Sequence, residues 1–344
     1  MMNSTVICWP FNVLYSPEAV QEFYFMNIVI CVLNFVLAVT ITIANSSLLL
    51  AILGTPSLRT PSYLLVCSLA VTDVGVGLVI QPLYIWRKMA EMRGDVPTFC
   101  ALYMAGNVLA HLIGSPSFFT ATALSCDRYL AISLGVRYRQ KVTTRRILRL
   151  IAGLWFLAVF VVIARFYSRK PKYMSIAAAL LFVCLLIITV CYVKAMRLLR
   201  SHSRSSLSRD IRKSKLIKYK HSLFTMLLVV ICLFCCYLPF VFVHIVGSVS
   251  SKEHALELKR ARELTTTVLF GNSLVNPLIY LMRSKELRQA FRRSLGRLFC
   301  RVLRLPAVHV ERVSEYSTDA KFTTFKAVTR NKLCRTETQE DMYL

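Results

Sequence analysis

Seven apolar stretches, each about 20 residues or longer, decide what this chain can become, because a helix needs about that length to cross the hydrocarbon core of a bilayer. They lie near 24–53, 61–87, 100–134, 146–166, 173–199, 221–249 and 264–282. Lipid offers the backbone no hydrogen-bond partner, so a crossing segment must satisfy its own N–H and C=O groups, which a helix does. The sequence therefore predicts an all-α membrane protein with a seven-transmembrane helix bundle over 24–283. Composition agrees: 56% of the 344 residues are hydrophobic, only 17% are charged, and mean hydropathy is +0.55. An ordinary soluble domain is less apolar and carries more charge.

Charge placement orients the bundle. The chain holds 43 Lys and Arg against 17 Asp and Glu, a formal net charge of +26. Arg59 follows the first stretch, and Arg137, Arg139, Lys141, Arg145, Arg146 and Arg149 follow the third. A dense basic block over 197–220 follows the fifth. Basic loops stay in the cytoplasm, so the N-terminus is expected outside a multi-pass plasma-membrane protein. The opposite loops are mixed in sign: Arg87, Lys88, Glu91, Arg93 and Asp95 in one, and Lys252, Glu253, Glu257, Lys259 and Arg260 in another. Bases crowded at one membrane face suit anionic lipids and the partners of that face; no nucleic acid is expected.

The flanks read as accessories. Residues 1–23 form a short polar extracellular N-terminus with no basic region ahead of an apolar core, hence no cleaved signal peptide. Asn3-Ser4-Thr5 is a glycosylation sequon, whereas Asn45-Ser46-Ser47 lies inside an apolar stretch. Over 284–301, Leu287, Phe291, Leu295 and Leu298 recur at helical spacing among Arg288, Arg292, Arg293 and Arg297. That is a short amphipathic eighth helix suited to the membrane surface, with Cys300 as a palmitoylation candidate. Residues 302–344 are polar and aperiodic, a disordered cytoplasmic tail with Ser and Thr sites for kinases. The terminal Met342-Tyr343-Leu344 is a weaker candidate for pairing with a sheet edge.

Within the spans, polar residues stand out. Asp73 lies about twelve residues into the second stretch, roughly 18 Å along a helix and near mid-bilayer. A carboxylate there costs about 2.5–3.5 kcal/mol on insertion scales and demands partners. Asn272, Ser273, Asn276 and Tyr280 recur on one face of the seventh stretch, and Asn45 and Ser117 lie at comparable depth. Together these oxygens suit a hydrated hard cation such as sodium, or a water cluster; the competing account is small polar residues joining helices. Pro82, Pro116, Pro239 and Pro277 each remove a hydrogen bond inside a span and mark points of bending. At the inner end of the third stretch, Asp127 can hold Arg128 until another group competes for the guanidinium.

These residues resemble the rhodopsin-like (class A) G-protein-coupled receptors from about residue 24 to 300. Asn45 resembles the family's first-helix Asn, and Leu69-Ala70-Val71-Thr72-Asp73 its second-helix motif. Asp127-Arg128-Tyr129 matches the DRY motif, Trp155 the fourth-helix Trp, and Tyr192 the fifth-helix Tyr. Cys236-Tyr237-Leu238-Pro239 resembles CWxP, and Asn276-Pro277-Leu278-Ile279-Tyr280 is an intact NPxxY. The resemblance implies that Arg128 meets a heterotrimeric G protein in the active state. It also implies that Asn45, Asp73, Ser117, Asn272, Ser273 and Asn276 surround a sodium ion, the only ion or cofactor expected. Tyr237, Pro239 and Pro277 would serve as hinge, and Tyr192 and Tyr280 would bridge through water as the sixth helix moves outward. Arrestin and kinases would act on the tail.

Departures shape further expectations. Tyr237 replaces the usual Trp. Tyr219, between Lys218 and Lys220, stands where an acid often locks the DRY arginine, so high basal activity is expected. The connection over 165–173 has no Cys, so the usual bridge to the third helix cannot form. Cys8 and Cys100 are the outward-facing pair, and whether they bond is left open by the sequence. The short loop, the absent bridge and the missing fifth-helix proline resemble the branch of melanocortin, cannabinoid and lysolipid receptors.

Ala110 stands where amine receptors carry an acidic counter-ion, and 264–282 contains no lysine for a retinal Schiff base. Gln81, Tyr84, Asn107, His111, Tyr237, His244, Thr266 and Phe270 are the expected lining of the outer half, with Arg87, Lys88, Arg165 and Arg169 at its rim. For the two histidines, packing against a neighbouring helix competes with ligand contact. An apolar cavity with a basic mouth suits a lipid-like or acidic small molecule rather than an amine. The alternative is a receptor-like protein that is constitutively active or serves as a non-signalling scaffold. No nucleophile–base or metal cluster at ligand spacing suggests an enzyme, and no internal repeat suggests a transporter.

Overall fold

A computed structural model describes residues 6–8, 13–167, 170–204, 227–228, 230–247 and 255–302. Helices dominate. The first spanning helix, α2 (Tyr24–Gly54), follows a short α1 (Pro17–Glu22) whose first turn is capped by the Ser16 hydroxyl accepting from Ala19 N–H. The second span comprises α3 (Pro61–Gly75), a π-helical turn over Val76–Ile80, and α4 (Gln81–Arg93). Pro82 accounts for the π turn: it has no N–H for the carbonyl four residues back and its ring crowds that carbonyl, so the ladder widens.

The third span, α5 (Val96–Leu134), is capped by the Asp95 carboxylate accepting from Thr98 N–H at 3.2 Å, and hydrogen bonds from the Thr98 side chain and then its backbone N–H hold the Asp95 carboxyl below its usual pKa. Then come α6 (Tyr138–Lys141), α7 (Thr144–Tyr167), α8 (Lys170–Arg204), α9 (Val230–Gly247), α10 (Ala255–Arg283) and α11 (Lys285–Val302). Among the described residues, six helical stretches are long and apolar enough to span by length and composition, from that of α2 to α9. The seventh, α10, is as long, but Asn272, Ser273, Asn276 and a charged outer end lower its hydropathy. It starts at Ala255 rather than near 264, because Ala255–Glu263 is rich in good helix formers that hydropathy does not register.

Large apolar side chains ring the outside: Phe25, Phe35, Phe156, Phe182 and Phe242 are all more than 60% exposed. A water-soluble monomer does not expose so broad an apolar belt; here it faces lipid. Inside, Leu48, Ala51, Leu65, Leu69, Leu124, Ile147 and Tyr280 form a core joining α2, α3, α5, α7 and α10. Leu287 and Ala290 of α11 belong to the same core, so part of the apolar face expected to rest on lipid is spent on α2 instead. Ser57 Oγ donates to Glu286 and pins the first turn of α11 to the loop after α2.

The N-terminal segment, expected to be plain polar chain, contains an antiparallel hairpin. Strands β1 (Val6–Cys8) and β2 (Val13–Tyr15) pair with Val6 opposite Tyr15 and Cys8 opposite Val13. Cys8 is disulfide-bonded to Cys100, their Cα atoms 5.3 Å apart, and Tyr15 packs edge-on against Phe99 at 5.8 Å. The hairpin is thus stapled to the N-terminal end of α5.

Candidate functional site

Asp73 is fully buried in α3, and Asn276 on α10 donates from Nδ2 to its Oδ2 at 2.8 Å. Asn45 on α2, also fully buried, donates to the Ser273 backbone carbonyl at 3.1 Å and to the Ile41 carbonyl one turn back. Ser117, Asn272 and Ser273 are buried at the same level. Three helices are therefore drawn together around one carboxylate. Asp73 Oδ1 and, on the Asn45 side chain that reaches Ser273, Asn45 Oδ1 have no partner among the described protein atoms. Buried polar atoms are rarely left unpaired, and two such acceptor oxygens at a carboxylate centre fit a hard cation or ordered water.

Gly77, one helical turn after Asp73, lies where the π turn packs tightly against α2. A Cβ there would lie 2.4 Å from Thr42 Oγ1 and 2.9 Å from the Ala38 carbonyl oxygen. The absence of a side chain is what lets the two helices meet.

At the other end of α5, Asp127 is buried and holds Arg128 Nη2 at 3.4 Å. Ser62 Oγ donates to Asp127 Oδ2 at 2.9 Å, the Tyr138 hydroxyl donates to Oδ1, and Ser62 and Tyr138 touch each other at 2.7 Å. Asp127 is thus caged by groups from α3, α5 and α6, while Arg128 keeps one buried nitrogen, Nε, without a partner. Sequence reasoning found the acid and the arginine but missed Ser62 and Tyr138, whose roles arise only once the loop after α5 folds back. Tyr129 and Tyr192 pack with Cys126, Ile132, Cys191 and Ala195 between α5 and α8. Tyr280 belongs to a different core, beside Leu65 and Leu124. Tyr219 lies outside the described residues.

Tyr237 on α9 packs at a tilt against Phe118 of α5, ring centroids 4.9 Å apart, beside a core that includes Phe119, Leu181, Leu185, Ile188 and Leu233. Pro239 follows it on the same helix, and Pro277 lies inside α10 directly after Asn276.

The half of the bundle expected to face outward differs from the basic mouth expected there. Glu263 on α10 accepts from the Tyr84 hydroxyl and binds Lys88 Nζ at 2.7 Å and Arg87 Nη2 at 3.4 Å. Lys88 also binds Glu91 at 2.9 Å, and Lys259 reaches Glu91 at 2.7 Å. Arg87 lies over the Tyr84 ring at 4.9 Å and the Tyr103 ring at 5.5 Å. Arg87 and Lys88, expected at the rim for an acidic ligand, are instead matched internally, and Lys88 is fully buried. The sequence shows opposite charges here but not that helices α4 and α10 bring them face to face.

Gln81 is fully buried and donates to Asn34 Oδ1 at 3.4 Å; Asn34 in turn donates to Thr267 Oγ1 at 3.0 Å. Asn34 went unnoticed although it lies about three helical turns before Asn45 and hence on the same face. His111 Nδ1 donates to the Asn107 carbonyl at 2.7 Å, and Thr266 Oγ1 to the Arg262 carbonyl at 2.7 Å, both within their own helices. His244 packs at a tilt against Phe240, ring centroids 4.3 Å apart, and Phe270 meets Tyr84 edge-on at 5.5 Å. Arg165 is buried at the end of α7. Gln81 Oε1 and Asn107 Oδ1 are buried acceptors without a partner. Asn3, Arg169, the Cys300 side chain and the tail lie outside the described residues.

A lipid-facing seven-helix bundle with an acid at its centre and a caged arginine at one end has the form of a polytopic membrane receptor. The family model described as 7 transmembrane receptor (rhodopsin family) matches residues 44–175 and 166–280. The chain belongs to that family, whose members are ligand-binding, G-protein-coupled membrane receptors without enzymatic activity or a cofactor. It is 27% identical over 314 residues to the human adenosine receptor A2b, covering 76% of this chain and 88% of that protein. The rat adenosine receptor A2b is 26% identical over 310 residues, covering 75% and 87%. The alpha-2B adrenergic receptor of Didelphis virginiana is 33% identical over 130 residues, covering 38% and 33%.

Proposed function

We propose that this receptor lies in the plasma membrane with its N-terminus outside and recognises an uncharged or weakly acidic, lipid-like small molecule rather than an amine. One observation carries the exclusion of amines: among the described residues, no buried carboxylate of the outer half is left for a cationic ligand. Ala110 supplies none, and Glu91 and Glu263 are each already held by at least two cations. An amine would have to displace a buried, hydrogen-bonded cation, which costs more than it returns.

A second reading is favoured by the unpartnered acceptors Gln81 Oε1 and Asn107 Oδ1. A neutral nucleoside, the ligand class named in the adenosine receptor relatives, carries hydrogen-bond donors that would satisfy them. Displacement of a labelled hit, or stabilisation of the purified receptor, by lysolipids, nucleosides and amines in parallel separates these cases. Stabilisation by amines alone would refute both.

Inside, Arg128 is released from Asp127 to engage the G protein, and the centre around Asp73 holds sodium or water in the resting form. Supporting this are the orphaned oxygens there and the cage on Asp127. Arrestin and kinases act on the tail, anionic lipids on the basic inner loops and α11, a glycan on Asn3 and a palmitoyl chain on Cys300. The layout is an outer segment over 1–23, a bundle over 24–283, a surface helix over 284–301 and a tail over 302–344. Basal signalling of membranes expressing the receptor, set against Arg128→Ala, distinguishes a working receptor from a silent scaffold.

A further inference from the structure

Five charged side chains meet at the outer ends of α4 and α10: Arg87, Lys88 and Glu91 from one helix, Lys259 and Glu263 from the other. Lys88, Glu91 and Glu263 are buried. Glu263 is the hub, bound at once by Tyr84, Arg87 and Lys88, while Lys259 returns the contact to Glu91. Every ion pair except Lys88–Glu91 crosses from one helix to the other.

Apolar residues of similar volume would hold two helices together about as well as buried ions, whose desolvation offsets most of their attraction. Buried ions differ in how they fail: remove one partner and the remaining charge is stranded, so the contact is either whole or broken. Such all-or-none contacts suit a two-state element. The helix they hold is the one that carries Asn276, Pro277 and Tyr280. Glu263 and Asn276 are separated by about 20 Å along that helix, and each bonds to the second span, Glu263 at Tyr84, Arg87 and Lys88, Asn276 at Asp73. The α10 helix is thus pinned at both an outer and a central point, with its proline just beyond the central one.

We propose that the Glu263 cluster is an outer latch: it holds α10 against α4 in the resting receptor, and its release frees α10 to move and favours the signalling form. A ligand that takes up the Tyr84 hydroxyl, the uncharged donor to Glu263, would loosen it. The signalling half of this proposal rests on the receptor reading above; the latch itself does not.

The test uses the full-length receptor in lipid nanodiscs, comparing wild type with Glu263→Gln, Lys259→Met and Glu22→Gln. Glu22 pairs with Arg260 at 3.7 Å on the exposed side of the same helix end, both side chains 51% exposed, and serves as the control. Two quantities are read without ligand: hydrogen exchange of peptides within 255–270, and nucleotide exchange on purified G-protein heterotrimers. Glu263→Gln is expected to speed hydrogen exchange there and to raise nucleotide exchange roughly five-fold or more, the range of allosteric coupling. Lys259→Met, which removes one link only and keeps the fold if the hub variant does not, moves both in the same direction by less. Glu22→Gln changes neither.

Faster hydrogen exchange with no G-protein response from any variant or from wild type keeps the latch and defeats the receptor reading. Unchanged hydrogen exchange in both Glu263→Gln and Lys259→Met overturns the latch. A rise in hydrogen exchange with nucleotide exchange unchanged, in a receptor that does respond to a G protein, reduces the cluster to structural glue and equally overturns the proposal.

Discussion

Asn276 on α10 donates a 2.8 Å hydrogen bond to Asp73 on α3, joining the helix that carries Tyr280 to a fully buried acid midway along the second span. The second oxygen of Asp73 is left without a protein partner. If a cation completes that shell, sodium stabilises the resting receptor and Asp73→Asn abolishes the effect while keeping the side chain's shape. Thermal unfolding of purified receptor in sodium against choline chloride checks this. Wild type unfolds at a higher temperature in sodium, and Asp73→Asn unfolds at the same temperature in both salts.

Tyr138→Phe removes one hydrogen bond from the Asp127 carboxylate, and Ser62→Ala removes another. A hydrogen bond to a charged group is worth about 1.5–3 kcal/mol, and part of that holds Asp127 in the position where it retains Arg128. Each substitution is expected to raise ligand-independent signalling, and the pair to raise it by less than the sum of their effects because both act on one carboxylate. A cAMP or calcium readout, normalised to surface expression, measures it.

Gly77→Ala places a methyl group against Thr42 Oγ1 and the Ala38 carbonyl, the latter backbone that cannot swing aside. Forcing α2 from the π turn costs about 1–3 kcal/mol, the usual range for overpacking. The unfolding midpoint in detergent should fall. Gly271→Ala, on α10 with nothing within 4 Å of an added Cβ, is the matched control and should be neutral or slightly stabilising through helix propensity.

Cys8→Ser and Cys100→Ser each cut the staple between the N-terminal hairpin and α5. Loss of a native bridge closing a long loop costs about 2–5 kcal/mol in small domains. Both variants should lower thermal stability equally, and the double variant should fall no further. Additive losses would show that the two cysteines act separately.

The spans were legible because lipid removes alternatives: a long apolar stretch has to be helical, so 24–53 and 146–166 match α2 and α7 to within one or two residues at each end. Where water or partner helices decide, hydropathy is silent. The first turns of α10 are charged and read as loop, yet they are helical, with Lys259 and Glu263 paired to α4. The polar residues Asp73, Asn45 and Asn276 announced themselves by their cost in a membrane. Ser62 and Tyr138 did not, since hydroxyls near a membrane edge cost little and only the folded loop aims them at Asp127. The basic mouth failed for a related reason: sequence shows the sign of Arg87 and Lys88 but not that Glu263 is their partner.

The most direct test of the central claim, that this bundle relays an outside event to a G protein through Arg128, is nucleotide exchange on a panel of purified heterotrimers. Receptor in nanodiscs should drive exchange on at least one of them above empty nanodiscs, and Arg128→Ala, folded to the same unfolding midpoint, should return it to that baseline. Exchange no faster than with empty nanodiscs across the whole panel, with or without the ligand classes named above, or an Arg128→Ala receptor as active as wild type, would contradict it.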